Sequence, residues 1–274
     1  MDAFLQAANL LLPLGYLAAA IAYGLVFFSD NALARRVATP LLGATVVVHL
    51  AHLTAVTVRF DQFPAVTVSQ SLSVVALAVA LVYLFVEWHG RERSTGFWLV
   101  GLVFVFQLLA SLLRNPAPPD REIFHSVLFA SHVSLALLGY AAFVIAAGYG
   151  FLFLELYREL KGGRFSTFFG KLPPLEVLER MMAGALLVGF VTLTGAVVTG
   201  VLWAERNFSG EWLRDPKIVF TFGVWALYAV ALLLRRLRHW HGRQTALVSL
   251  AGLGAILFSL LAVNFLFSDF HGFL

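Results

Sequence analysis

The sequence predicts an all-α, polytopic membrane protein of about eight transmembrane helices with both termini outside. Three observations carry that expectation. Hydrophobic residues make up 60% of the chain and charged residues 12%, against roughly 25% charged in an ordinary soluble domain. Apolar runs of about 20 residues, the length of one bilayer crossing, recur at about 8–28, 37–58, 70–88, 96–113, 126–157, 181–203, 217–235 and 245–267. The basic residues between the runs divide unevenly, thirteen in one set of alternate connections and six in the other. By the positive-inside rule the richer set faces the cytoplasm.

Taken in order, Met1-Asp2-Ala3-Phe4 lacks the basic start of a cleavable signal, so the first run reads as a retained helix. The second run carries His49 and His52, three apart and so on one helix face. An ionisable side chain inside lipid is costly and by default marks a functional position facing the bundle interior. The fifth run begins with His125 and His132, seven apart on one face. It is longer than one crossing requires, so it projects into water or tilts. The connection from Arg158 to Arg180 contains Leu172-Pro173-Pro174-Leu175-Glu176. Its prolines favour a bend that reads first as a plain hinge, the alternative being that Pro174 opens a short interfacial helix ahead of the sixth span. Gly184, Gly189 and Gly195 within that span suit close helix packing.

Gly200 to Trp225 joins the sixth and seventh runs and holds Trp203, Trp212 and Trp225 around a polar interior that ends in Asp215-Pro216-Lys217. An indole at headgroup level buries its ring and keeps its N–H wet, so an aromatic belt at a helix end accounts for these residues as well as a binding surface does. His89, His239 and His241 fall in the cytoplasmic connections and read as solvated surface.

Several function classes are excluded. The chain has no cysteine, hence no disulfide and no C-x-x-C-H haem attachment of its own. A pI near 9.6 points to nucleic acid only when the basic residues form a patch, and here they sit in short clusters between spans. No H-E-x-x-H, G-x-S-x-G or phosphate-cradling G-x-x-x-x-G-K occurs. Asp and Glu are confined to loops and span ends, which argues against a cation pathway.

The predicted topology brings His132, His271 and the tryptophan-rich segment to the same outer side. A planar iron macrocycle takes axial nitrogen ligands from opposite faces and lies against flat aromatic surface. Imidazoles from two separate helix ends supply both axial positions, whereas His49 and His52 on one helix do not. For each histidine alone, a hydrogen-bonded packing role is the competing reading.

These residues carry a resemblance to the cytochrome c assembly proteins of the CcsA and HemX type. The family's haem-handling loop resembles G-x-x-W-A-x-x-x-W-G-x-x-W-x-W-D-P-K-E. Gly200, Trp203, Ala204, Trp212, Asp215, Pro216 and Lys217 match it without a gap, and Trp225 follows. Phe208 and Arg214 stand where the family has tryptophans, Ser209 where it has glycine and Ile218 where it has glutamate. His132-Val133-Ser134 with Gly139-Tyr140-Ala141 is similar to H-V-S-x-x-x-x-G-Y-A, and Asn264 to His271 is similar to the terminal N-x-x-x-x-G-L-H. His52 with Arg59, Phe63-Pro64 and Ser69 to Leu72 resembles the early histidine motif. The partner of that inner histidine is expected just before Arg235, where Leu233 stands.

The resemblance implies a single haem-handling transmembrane domain over 1–274, in the bacterial inner membrane. It implies that His132 and His271 ligate the iron of a transiently held b-type haem, while Trp203, Phe208 and Trp212 cover the macrocycle. Lys217 meets a propionate, Asp215 caps or orients the helix that follows, and His52 binds haem within the membrane. The implied partners are a CcsB-type membrane protein and apocytochrome c, whose thiols receive the haem; the chain would then be one component of a cytochrome c synthase. HemX-type relatives imply an alternative, a membrane regulator of glutamyl-tRNA reductase in haem synthesis, with the connection from Arg158 to Arg180 as its working surface.

Overall fold

A computed structural model describes residues 2–90, 93–113, 126–163, 167–208, 211–238, 240 and 242–259. The described residues are helical with no strand, and every expected span appears as a helix: α1 (Asp2–Ser29), α2 (Ala32–Phe60), α3 (Val68–Gly90), α4 (Gly96–Leu112), α5 (Val127–Gly162), α7 (Leu175–Asn207), α8 (Pro216–Leu237) and α9 (Arg243–Phe258). A short α6 (Thr167–Lys171) lies in the connection after α5, and a 3-10 turn (Glu211–Arg214) precedes α8. Among the described residues, six helices are long and apolar enough to cross a membrane, and Gly96–Leu112 and Arg243–Phe258 are shorter apolar helices. The chain is thus an all-α, polytopic membrane protein. Residues 260–267 of the expected eighth span, and His271 beyond it, lie outside the described residues.

Two helices run well past their apolar windows. α5 continues to Gly162 over 36 residues, about 54 Å at 1.5 Å per residue, whereas the hydrocarbon core is about 30 Å thick. α7 begins at Leu175, immediately after Pro174, whose φ of −53° and ψ of 151° are those of a capping residue. Pro174 therefore opens the long helix itself and no separate interfacial helix intervenes. Its missing N–H costs nothing there, because the first turn of a helix leaves its donors unpaired in any case.

The chain divides into two compact units: residues 1–65, 69–116 and 158–173 form the first, and 66–68, 117–157 and 174–274 the second. In the first unit α1 packs against α2 and α4. Asn31 starts α2 as its N-cap, its side chain accepting from the Ala34 N–H at 2.9 Å, a stabilising arrangement at a helix start. At the far end of these antiparallel helices Arg59 meets Asp2 at 3.2 Å.

The second unit is built on α5, whose residues Ala141 to Gly150 are all buried. Small residues let α7 come close to it: a Cβ at Gly189 would lie 2.7 Å from the Phe143 ring, so only glycine fits that crossing. Phe143 in turn stacks on Tyr228 of α8 with ring centres 3.9 Å apart. Trp225 donates to the Thr194 hydroxyl at 2.9 Å and stacks on Phe190. Near the other end, Arg235 bridges Glu179 at 3.0 Å and Thr245 at 3.2 Å, tying α7, α8 and α9 together.

Candidate functional site

In the second unit, the start of α5 and the end of α7 bring the matched motifs into contact. The Nδ1 of His132 lies 2.8 Å from the Ala196 carbonyl oxygen. A carbonyl only accepts, so Nδ1 carries the proton and donates, and Nε2 keeps its lone pair. The Thr199 hydroxyl donates to the same carbonyl at 3.1 Å. One turn along α7, Gly200 makes room for the imidazole: a Cβ there would stand 2.5 Å from Nδ1 and 2.7 Å from Cε1. The glycine that opens the loop motif thus has a steric reason, which is that the ring of His132 occupies its side-chain space.

Three residues beyond Gly200, and so on the same face of α7, Trp203 is 6% exposed. Its ring centre lies 5.4 Å from that of Phe129 and 5.4 Å from that of Phe208, the latter edge-on at 78°. Such tilted and edge-to-face pairs are favoured by the ring quadrupole. Val66, Leu128 and Val133 complete the cluster. Phe208 therefore keeps an aromatic partner for Trp203 where the family motif has an indole. Phe129 and Val66 lie outside every matched motif.

After α7 the chain turns through Glu211–Arg214 into α8. Trp212 on that turn is buried, and its indole N–H has no hydrogen-bond partner among the described residues. Asp215, also buried, caps α8: its Oδ1 accepts from the Lys217 N–H at 2.8 Å, and Pro216 takes the first helical position. This is the local chemistry that starts a helix. It also fixes the backbone of Lys217, whose ammonium lies near enough to Asp215 and His132 to feel their charge. His132, Gly200, Trp203, Phe208 and Lys217 thus gather on the second unit. His271 lies outside the described residues, as does His125.

A family model described as cytochrome C assembly protein matches residues 37–271. The chain belongs to that family. It is 26% identical over 279 residues to "Cytochrome c biogenesis protein CcsA" of Prochlorococcus marinus (strain MIT 9301), covering 92% of this chain and 88% of that protein. The protein of the same name from Synechococcus sp. (strain CC9902) is 28% identical over 237 residues, covering 77% of this chain and 78% of its own. The one from Prochlorococcus marinus (strain MIT 9515) is 32% identical over 161 residues, 52% of each chain.

Against the family's early motif, the first unit separates two neighbouring histidines. His49 is fully buried, and both of its ring nitrogens are engaged: the Tyr16 hydroxyl lies 2.9 Å from Nδ1, and the Ser73 hydroxyl 2.8 Å from Nε2. Ser73 donates onward to the Gln107 carbonyl oxygen at 3.0 Å, so it accepts from His49. The proton order is thereby fixed, with Tyr16 donating to Nδ1 and Nε2–H donating to Ser73. His49 is a satisfied packing histidine, spending on neighbours the lone pair that an iron would need. His52 is partly buried, its ring centre 6.5 Å from that of His49. Leu233, at the position of the expected inner partner, is 55% exposed.

Proposed function

We propose that this member of the cytochrome c assembly family holds haem at the outer face of the bacterial inner membrane and presents it to apocytochrome c. The chain is then one haem-handling domain over 1–274. The observation that carries the proposal is the His132–Ala196 hydrogen bond. It locks the imidazole in the tautomer whose Nε2 can ligate a metal, which is the usual role of such a bond at metal-binding histidines.

Two further features fit a haem. Trp203, Phe129 and Phe208 form a packed aromatic cluster beside Gly200, and the buried Trp212 N–H is a donor in need of an acceptor, costly to leave without one. Haem brings an iron that takes axial nitrogen ligands, vinyl groups that receive cysteine thiols, and propionates that accept from donors. His132 would bind the iron on one side and His271 on the other, while Trp203, Phe208 and Trp212 shield the ring from water. Lys217, in the capped first turn of α8, would neutralise a propionate. His52 would serve a b-type haem within the membrane, alone in this chain, because Leu233 offers no nitrogen. The thioether bonds form between two other molecules, and a CcsB-type protein is the expected membrane partner.

Co-expression tests the reading. In cells stripped of their own cytochrome c assembly apparatus, this chain with its partner should restore covalently attached haem, seen as haem-stained cytochrome c on denaturing gels. Normal cytochrome c after deletion of the gene, with an altered level of glutamyl-tRNA reductase, would instead support the HemX-type regulatory alternative.

A further inference from the structure

The first unit has an open-sided cavity of about 950 Å³, whose lining includes Asp30, Arg35, Glu87, Trp88, Arg93 and Lys171. It lies where α1 stops, α2 starts and α3 nears its end, far along α2 from His49 and His52. Among the described residues, three cations and two carboxylates share its wall.

The carboxylates are not equivalent. Glu87 is 4% exposed and already accepts from the Tyr23 hydroxyl, from the Thr39 hydroxyl at 2.5 Å and from the Arg93 Nε at 2.7 Å. Its charge is spent on that network. Arg93 is held in place by it and donates also to the Arg35 carbonyl. Asp30 pairs with Arg35, but both side chains are more than half exposed, and an exposed pair of this kind holds its partners weakly. Lys171 reaches from α6 to the carboxyl end of α1, where its ammonium donates to the Phe27 carbonyl at 2.5 Å, with that of Phe28 at 3.4 Å. Those contacts anchor the cation at the rim of the cavity.

What faces the open space is therefore net positive, with one weakly held guanidinium, one anchored ammonium and one guanidinium fixed by a buried carboxylate. Beside them Trp88 is 78% exposed and Phe28 51% exposed, each near the end of its apolar helix, the position in a span at which indoles meet headgroups. Basic pockets between membrane helices take anionic headgroups in this way.

We propose that this cavity binds a phosphate-bearing anion, with Arg35 and Lys171 as donors, Arg93 as the fixed third charge and Trp88 alongside. The headgroup of an anionic phospholipid and a soluble phosphate present the same chemistry. The test uses the full chain in detergent micelles and follows tryptophan fluorescence during titration with phosphatidylglycerol or phosphatidylcholine, each with brominated acyl chains that quench nearby indoles. Brominated phosphatidylglycerol should quench a component that Trp88→Phe removes, half-saturating at least ~10-fold below phosphatidylcholine, a difference of about 1.4 kcal/mol. Arg35→Gln with Lys171→Gln should abolish that preference, while the charge-keeping Arg35→Lys retains it and so excludes misfolding as the cause. Relief of quenching by millimolar inorganic phosphate would assign a site that reads phosphate alone, and no relief one that needs the lipid. Equal quenching by both lipids without a phosphate effect, or an undiminished preference in the double glutamine variant, would overturn the proposal.

Discussion

Placing a methyl group on Gly200 is expected to dislodge His132 and weaken haem retention by at least ~10-fold, which corresponds to about 1.4 kcal/mol. The added carbon would stand 2.5 Å from Nδ1, inside any allowed contact, so either the ring leaves or α7 moves back. In both cases the His132 Nδ1–H loses its acceptor, and a buried donor left unmade costs about 1–3 kcal/mol, whereas the Ala196 carbonyl keeps the Thr199 hydroxyl. Gly184→Ala on the same helix is the matched control. Nothing lies within 4 Å of a Cβ there, and alanine is the better helix former by about 1 kcal/mol. Haem retained per mole of purified protein, with thermal unfolding alongside, separates the two: Gly200→Ala should lose haem with the fold largely kept, and Gly184→Ala should lose neither.

Trp203→Ala is expected to act through packing first. The indole is almost wholly buried against Phe129, Phe208, Val66 and Val133, and removing a buried aromatic of that size costs about 3–5 kcal/mol. The transition measured by thermal unfolding should fall accordingly, and haem with it, because α7 loses its anchor one turn from Gly200. Trp203→Phe keeps much of the buried surface and the edge-on contact, so it should recover most of the stability. A Trp203→Ala protein as stable as the parent would show that the aromatic cluster is not what holds the end of α7 to the start of α5.

The spans were legible because lipid imposes a length and a composition, and these are visible in any window of the sequence. The helix ends were less so. α5 and α7 extend beyond their apolar windows because hydrogen bonding sets where a helix stops, and Pro174 is a natural first cap for a helix that starts outside the lipid. Within the site, the residues with a motif could be named in advance: His132, Trp203, Asp215 and Lys217. The surface around them could not, since Phe129 and Val66 are apolar residues in apolar stretches and only the packing of the second unit singles them out. His49 shows the opposite limit. Its spacing from His52 reads like a functional pair, yet Tyr16, Ser73 and Gln107, each from a different helix, engage it directly or through Ser73. No one-dimensional pattern links those three residues, so the packing role emerges only in three dimensions.

The most direct measurement of the central claim is the absorption spectrum of the detergent-purified chain, with and without reductant, beside that of His132→Ala. An imidazole presenting Nε2 to iron, with a second histidine opposite, predicts a six-coordinate low-spin spectrum in the parent and its disappearance in the variant. A colourless parent that takes up no added haem, or a spectrum indifferent to the loss of His132, would contradict it.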